Sequence, residues 1–252
     1  MSDSSNTDTI VRTLKYPLRR SFHAIRHIFS RTRWAAGALT RVARTGFARL
    51  LRRSDYDRWG NPANFENWWE TRTQKMATHV PMGARVIEFG AGNCRLRTYL
   101  DESCTYIPSD IVDRGPGTVI CDLNHRPLPD LKHLHADVAL CAGVLEYVND
   151  LESVVSWLGQ TVKACVVSYD CAPLGRRLPD SLRERLRRLY YGYLSDLTEP
   201  QLLALFRRHA FQMTKSESWT SQRIFAFAKV PEAETQIAVS CVNNHRMADI
   251  NT

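Results

Sequence analysis

The sequence predicts an α/β protein, a doubly wound (Rossmann-like), mostly parallel seven-stranded sheet with a C-terminal antiparallel hairpin, preceded by a basic helical arm. Three observations carry this. The runs Ala84–Phe89, Thr105–Pro108, Thr118–Cys121, Ala136–Cys141 and Ala164–Tyr169 are short, apolar and rich in Val and Ile, as strands buried on both faces should be. Stretches of helical periodicity lie between several of them. Two further runs, Phe211–Glu217 and Arg223–Val230, are separated by only a few turn residues around Ser221, and so short a connection joins antiparallel strands. Alternating β and α elements that end in a hairpin select the doubly wound architecture.

The arm comes first in the chain. Residues 1–59 hold 13 Lys and Arg against 4 Asp and Glu, whereas the remaining residues hold 21 against 22, so the net charge of +8 belongs to the N-terminal segment. Between Arg12 and Arg53 there are 12 bases and no acid. Leu14, Leu18, Phe22, Ile25 and Phe29 recur at helical spacing, and so do Leu39, Val42, Ala43, Phe47 and Leu50, with arginines over much of the rest and Trp34 between the two sets. Such a helix lies in a membrane interface, gaining from apolar burial and anionic lipid, or packs its stripes on the domain behind it. An Arg-rich, acid-poor amphipathic start is also similar to a mitochondrial transit peptide, against which Asp3 and Asp8 argue. The expected organisation is an arm over 1–59, a catalytic domain over 60–230 and a polar tail over 231–252. No run approaches the ~18 apolar residues of a membrane span, and the polar start is unlike a secretory signal. The expected location is cytoplasmic, with peripheral attachment at the inner membrane face through residues 12–53.

Within the domain, helical stretches are expected over Cys94–Asp101, around Arg183–Arg188, and over Asn149–Gly159, where Leu151, Val154, Val155 and Leu158 share a face. Another is expected over Leu197–His209, which opens with the capping box Thr198-x-x-Gln201 and has Pro200 in its first turn. The seven cysteines (94, 104, 121, 141, 165, 171 and 241) are odd in number and include no C-x-x-C pair, so reduced thiols are expected. His125, His133 and His135 lie in a loop-like region without an acid or cysteine at ligand spacing, and no metal is expected.

Doubly wound sheets bind ligands at the carboxyl ends of their strands, so those ends carry the function. The first ends in "RVIEFGAGNCR", an apolar strand running into Gly-x-Gly. A dinucleotide fingerprint would need a third glycine where Arg95 stands and has no use for Glu88, since a carboxylate repels a pyrophosphate. Glu88 instead favours a cationic group such as an amino-acid ammonium. The second strand ends in Asp110, 18 residues after Gly92, where a carboxylate can accept both hydroxyls of a ribose. At the third, Asp122 and Leu123 suit an amino-purine, one by hydrogen bond and the other by packing. The fourth ends in small residues that leave room over a ligand. A nucleoside with an amino-acid tail, such as S-adenosylmethionine (SAM), satisfies every strand end.

The segments "VIEFGAGNCR", "YIPSDIV", "VICDLNHRPLP" and "DVALCAGVLEYVNDL" resemble, in order and spacing, the successive motifs of class I SAM-dependent methyltransferases, close to the small-molecule type 11 and 12 group, over about residues 62–230. The resemblance implies that Glu88, Gly90, Ala91 and Gly92 contact the methionine part, Asp110 the ribose, and Asp122 with Leu123 the adenine. Ile111 and Cys141 complete the expected cofactor set. Two positions depart from the family's pattern. Cys94 stands where many members have a third glycine, and Tyr147 stands where many have a histidine, which removes any role borrowed from that histidine.

Methyl transfer chiefly requires an acceptor aligned with the S–CH3 bond, and positioning of this kind supplies ~7–11 kcal/mol of barrier reduction. A base is needed where the acceptor is a neutral hydroxyl or amine. The candidates are Glu146, Tyr147, Tyr169 and Asp170. The aromatic segments Tyr56–Trp59 and Phe65–Trp69 are either a lid over the cofactor or simple packing. The acceptor is expected to be a small molecule, a lipid or a lipid-linked glycan, with O-methylation favoured. A non-catalytic SAM-binding scaffold and a nucleic-acid methyltransferase are the alternatives. Nucleic acid is disfavoured, because the arm has apolar periodicity and no N-P-P-[FYW] tetrapeptide follows the fourth strand.

Overall fold

The computed structural model describes residues 37–175 and 178–230, excluding the side chains at 178 and 179. The first apolar stripe of the arm, Trp34, Cys241 and the polar tail lie outside the described residues. Helix α1 runs through 37–51, followed by a one-turn helix α2 (Tyr56–Trp59), two 3-10 turns and α3 (Glu70–Ala77). Then come β1 (Arg85–Phe89), β2 (Thr105–Asp110), β3 (Val119–Ile120), β4 (Val138–Ala142), α4 (Leu151–Thr161), β5 (Ala164–Tyr169), α5 (Leu178–Tyr190), α6 (Glu199–Arg208), β6 (Phe211–Trp219) and β7 (Gln222–Lys229). The seven strands form one sheet in the order β3-β2-β1-β4-β5-β7-β6. β1 pairs in parallel with both β2 and β4, and β7 is antiparallel to its neighbours β5 and β6. The strand order reverses between β1 and β4, which puts the ligand crevice of such a sheet at their carboxyl ends.

The pleat sorts each strand between two cores. Ile87, Phe89, Ala139, Cys141, Cys165 and Val167 point to one face, under Val154, Val155 and Leu158 of α4 and Leu202, Leu205 and Phe206 of α6. Val86, Val138, Leu140, Val166 and Ile224 point to the other, under Met76 and Ala77 of α3. Cys121, Cys141 and Cys165 are buried, and burial raises all three thiols, Cys121 to about 12. The local signals act as their chemistry suggests. Asp150 caps α4 by accepting the Ser153 N–H at 3.0 Å, and Gln201 Oε1 accepts the Thr198 N–H at 2.9 Å at the start of α6.

One element differs from expectation. Cys94–Asp101 is not an α-helix but a single 3-10 turn over Arg95–Thr98. Cys94 enters it left-handed, at φ 56°, and Tyr99 leaves it at φ −113°, so the chain turns back toward β2 after one turn. The glycine loop therefore leads into no helix long enough to present a dipole to an anion.

Phe206 is fully buried and stacks on Phe227 at 4.1 Å between centroids, where α6 meets the antiparallel edge of the sheet. Phe206→Ala is expected to cost ~3–5 kcal/mol in urea unfolding, because the cavity left between two elements cannot collapse. A loss below about 1 kcal/mol would show that α6 is not held by this stack.

Candidate active site

The glycine turn is shaped by what stands against it. Gly90 and Gly92 have φ of +67° and +55°, in the left-handed region where glycine carries no steric cost. A Cβ on Gly90 would meet Val144 Cγ2 at 2.5 Å, and one on Gly92 would meet the Phe65 ring at 3.5 Å. The Gly92 N–H donates to Asp110 Oδ2 at 2.8 Å and the Ile111 N–H to Asp110 Oδ1 at 2.7 Å, so the carboxylate at the end of β2 pins the turn after β1. Arg114, four residues further along the chain, brings Nε within 3.1 Å of Asp110 Oδ2. Its guanidinium donates to the carbonyls of Trp59 and Gly60 and lies 5.0 Å from the Phe65 ring centroid.

The third strand end is also met by the segment before α3. Asp122 Oδ1 accepts from Ser54 Oγ at 2.6 Å and from the Asn124 N–H at 2.8 Å, and Oδ2 accepts from Tyr56 Oη at 2.9 Å. Asn124 Nδ2 donates to Ser54 Oγ at 2.9 Å and to the Tyr147 carbonyl at 2.8 Å. Residues 54–69 thus form a strap across the carboxyl ends of β1, β2 and β3, with Phe65 over Gly92 and Trp59 edge-on to Tyr147 at 4.6 Å. Both aromatic segments read from the sequence as lid or packing border the cavity beneath it.

Under the turn, Glu88 points into the α3 face of the sheet. It accepts from Tyr106 Oη at 2.5 Å, yet burial dominates and pushes its carboxyl up to about 8. Arg72 of α3 is the cation facing it. Its guanidinium lies 5.7 and 5.4 Å from the Trp69 and Trp219 ring centroids and donates to Gln222 Oε1 at 3.1 Å, while its Nε is buried without a hydrogen-bond partner. Gly143 leaves space for it, since a Cβ there would collide with the guanidinium. Burial lowers the Arg72 pKa, against the pull of Glu146 and Glu88.

The four catalytic candidates fall in different places. Asp170 lines the cavity, with Oδ2 accepting from Tyr193 Oη and from Arg187, each at 3.1 Å. Tyr147 presents its ring to the cavity between Trp59 and Tyr193. Glu146 is fully buried behind them. Its Oε1 accepts the Asp170 N–H at 2.8 Å and Gln222 Nε2 at 3.1 Å, its Oε2 has no partner, and burial pushes it up to about 7. Tyr169 faces away, its hydroxyl held by Ser195 Oγ at 3.0 Å and the Leu197 N–H at 3.1 Å. Of the basic helix, Arg187 reaches the cavity. Arg188 is buried and spans Asp196 Oδ1 and the carbonyls of Asp170 and Ser195, which fixes the loop carrying Tyr193.

These groups surround one cavity of about 1150 Å³, somewhat larger than the ~300–1,000 Å³ of ordinary ligand sites. Glu88, Gly90, Ala91, Gly92, Asp110, Ile111, Asp122 and Leu123 all border it, whereas Cys141 is buried in the sheet below. Sequence reasoning missed Arg72, Arg114, Tyr193 and Gln222. Arg114 carried a legible signal, four residues after the strand-end acid. The others come from elements that meet the site only through the fold.

No protein-family model matches the chain, and no curated protein matches it in sequence. Solved structures do match. Mitomycin 7-O-methyltransferase superposes with a TM-score of 0.55 at 14% identity, over 78% of this chain and 68% of its own. Human N-acetylserotonin methyltransferase in complex with SAM gives 0.52 at 15%, over 71% and 57%. A methyltransferase of calicheamicin biosynthesis, in its S-adenosylhomocysteine-bound form, gives 0.50 at 16%, over 66% and 56%. The match thus spans between 56% and 68% of those proteins' lengths.

Burial of Glu88 has a consequence for stability. Its folded pKa lies above the ~4.3 of an exposed glutamate, so between those values the native state holds a proton that the unfolded chain has released. Stability from this group is complete at low pH and falls as pH rises toward about 8. Glu88→Gln removes that loss. Urea unfolding at about pH 5 and about pH 8.5 is expected to show the variant gaining on the native protein at the higher pH, and a pH-independent difference would contradict the assignment. The fold is that of the class I SAM-dependent methyltransferases.

Proposed function

We propose that the protein is a SAM-dependent methyltransferase acting on the hydroxyl of a small-molecule acceptor, lipid and lipid-linked acceptors included. The observation that carries this reading is the convergence of Glu88, the Gly90–Gly92 turn, Asp110 and Asp122 on one cavity at the point where the strand order reverses. The residues fit the cofactor. The bare backbone at Gly90 and Gly92 leaves room that a side chain would fill, and Leu123 offers a buried apolar wall beside Asp122. Asp110 would hold the ribose hydroxyls, exchanging its contact with Arg114 for them. Asp122 and Leu123 would hold the purine. Glu88 would meet the ammonium of the amino-acid tail, and the unpaired Nε of Arg72 its carboxylate. When bound, SAM supplies a methyl group on a sulfonium, open to attack by a nucleophile.

Asp170, which also borders the cavity, would take a proton from an acceptor hydroxyl. Its carboxylate is oriented by Tyr193 and Arg187, and Glu146 holds its backbone from behind. The rings of Tyr147, Tyr193 and Trp59 form an apolar wall that excludes water and aligns the acceptor. Tyr169 then acts through Ser195 and Leu197 as a support for the loop and has no contact with the acceptor.

Isothermal titration with SAM tests the cofactor half. Asp110→Ala is expected to weaken binding at least tenfold, about 1.4 kcal/mol. Asp170→Asn is expected to leave that affinity unchanged and to lower turnover by ~10²–10⁴ on a hydroxyl acceptor found by screening. Unchanged SAM affinity in both Asp110→Ala and Gly90→Val, with the fold intact, would overturn the site.

A further inference from the structure

Helix α1 packs the reverse of an ordinary surface helix. Its domain side carries small residues, Ala38, Val42, Thr45 and Ala48, and is fastened by Arg49, which donates to the Leu194 carbonyl at 2.8 Å and pairs with Asp196. Its bulky apolar residues face out, with Leu39 71%, Phe47 63% and Leu50 78% exposed, and Leu51 exposed beside them. On a helical wheel these four fall within about a third of the circumference, a continuous stripe. Exposed leucines also occur on α5, the helix that α1 meets through Arg41. Arg41 lies over the Tyr190 ring at 5.3 Å, and on α5 the residues Leu182 and Leu186, both exposed, continue the Tyr190 row at i−8 and i−4. Arg52 and Arg53, directly after the helix, are exposed at the end of the stripe, and Arg183 and Arg185 are exposed on α5. The same helix forms one rim of the cavity, to which Phe47 and Leu51 contribute.

We propose that this outward face of α1 is a lipid-docking surface that seats the mouth of the cavity on a membrane carrying anionic headgroups. An apolar stripe bordered by arginines matches the layering of a bilayer interface, acyl chains beneath and phosphates at the level of the guanidinium groups. Charge selects this occupant over two others. The preceding stretch of the same chain is basic and acid-free from Arg12 onward, so folding it onto this face would set like charge against like. A second copy of the face would do the same. Nucleic acid would satisfy the arginines but leave Leu39, Phe47 and Leu50 facing a polar backbone. No helix among the described residues is long and apolar enough to cross a membrane, so the contact is peripheral. The surface stands whatever ligand the cavity takes.

Flotation of the full chain with vesicles tests it, using phosphatidylcholine alone and phosphatidylcholine with a quarter phosphatidylglycerol, at about 50 mM and about 500 mM salt. The native chain is expected to float with the anionic vesicles at low salt and to be released at high salt. Leu39→Ser/Leu50→Ser and, separately, Arg52→Glu/Arg185→Glu are expected to reduce the bound fraction about tenfold, with the melting temperature unchanged because all four side chains are exposed and none borders the cavity. Failure of the native chain to float would overturn the proposal. So would flotation of the serine variant equal to the native chain, or tighter binding to a short DNA or RNA duplex than to the vesicles at the same salt. SAM titration of the same variants keeps this outcome separate from the cofactor assignment, since loss of flotation with unchanged titration bears on the surface alone.

Discussion

The carboxylate of Asp110 joins three parts of the molecule that share little sequence. It receives the Gly92 N–H from the turn after β1, the Ile111 N–H at the end of its own strand, and the Arg114 guanidinium, which in turn reaches the carbonyls of Trp59 and Gly60. The glycine turn has no following helix to brace it, so this side chain does the bracing. The strap over the cavity is tied to the sheet through the same group and through Asp122, which accepts from Ser54 and Tyr56. Of the two acids expected to hold a nucleoside, Asp122 is therefore already hydrogen-bonded to the segment that covers it, and Asp110 is linked to that segment through Arg114. In the proposed reading, ligand entry and movement of the strap would be one equilibrium, in which hydroxyls and amino groups of a ligand replace donors of the protein.

The second constraint is charge buried on the α3 face. Glu88, Glu146 and Arg72 lie close together out of solvent, where an ion costs several kcal/mol unless compensated. Burial raises both carboxyls and lowers the arginine, and the cluster lacks an ideal partner for every atom. Unpaired atoms remain at Arg72 Nε and Glu146 Oε2. In the proposed reading, the ammonium and carboxylate of a zwitterionic ligand would complete pairs that the protein leaves open here.

Much of this was legible in the sequence, for reasons that can be named. The strands were read because parallel strands buried on both faces need continuous apolar runs, and β5 falls over Ala164–Tyr169 as its Val and Cys content indicates. The strand-end acids were read because the sheet topology fixes where ligands bind. The 3-10 turn at Arg95–Thr98 was misread as a helix because Leu96, Tyr99 and Leu100 have helical spacing, while the left-handed Cys94 that redirects the chain has no sequence marker. Nothing in the local sequence around Arg72, on the short polar helix α3, marks it as a site residue. Only the packing of α3 against β1 and the approach of β7 bring it beside Glu88 and Gln222. The outward stripe of α1 was seen as periodicity, but not which side of the helix would face the domain, since small residues and bulky ones alternate around it.

Hydrogen exchange read by mass spectrometry, with and without saturating SAM, addresses the coupling of site and strap most directly. Ligand should slow exchange in four separate segments together, the turn at 88–95, the β2 end at 109–114, the β3 end at 121–124 and the strap at 54–69, while β6 and β7 stay unchanged. Protection of the three strand ends with the strap unaffected, or SAM bound with protection elsewhere in the chain, would contradict the account.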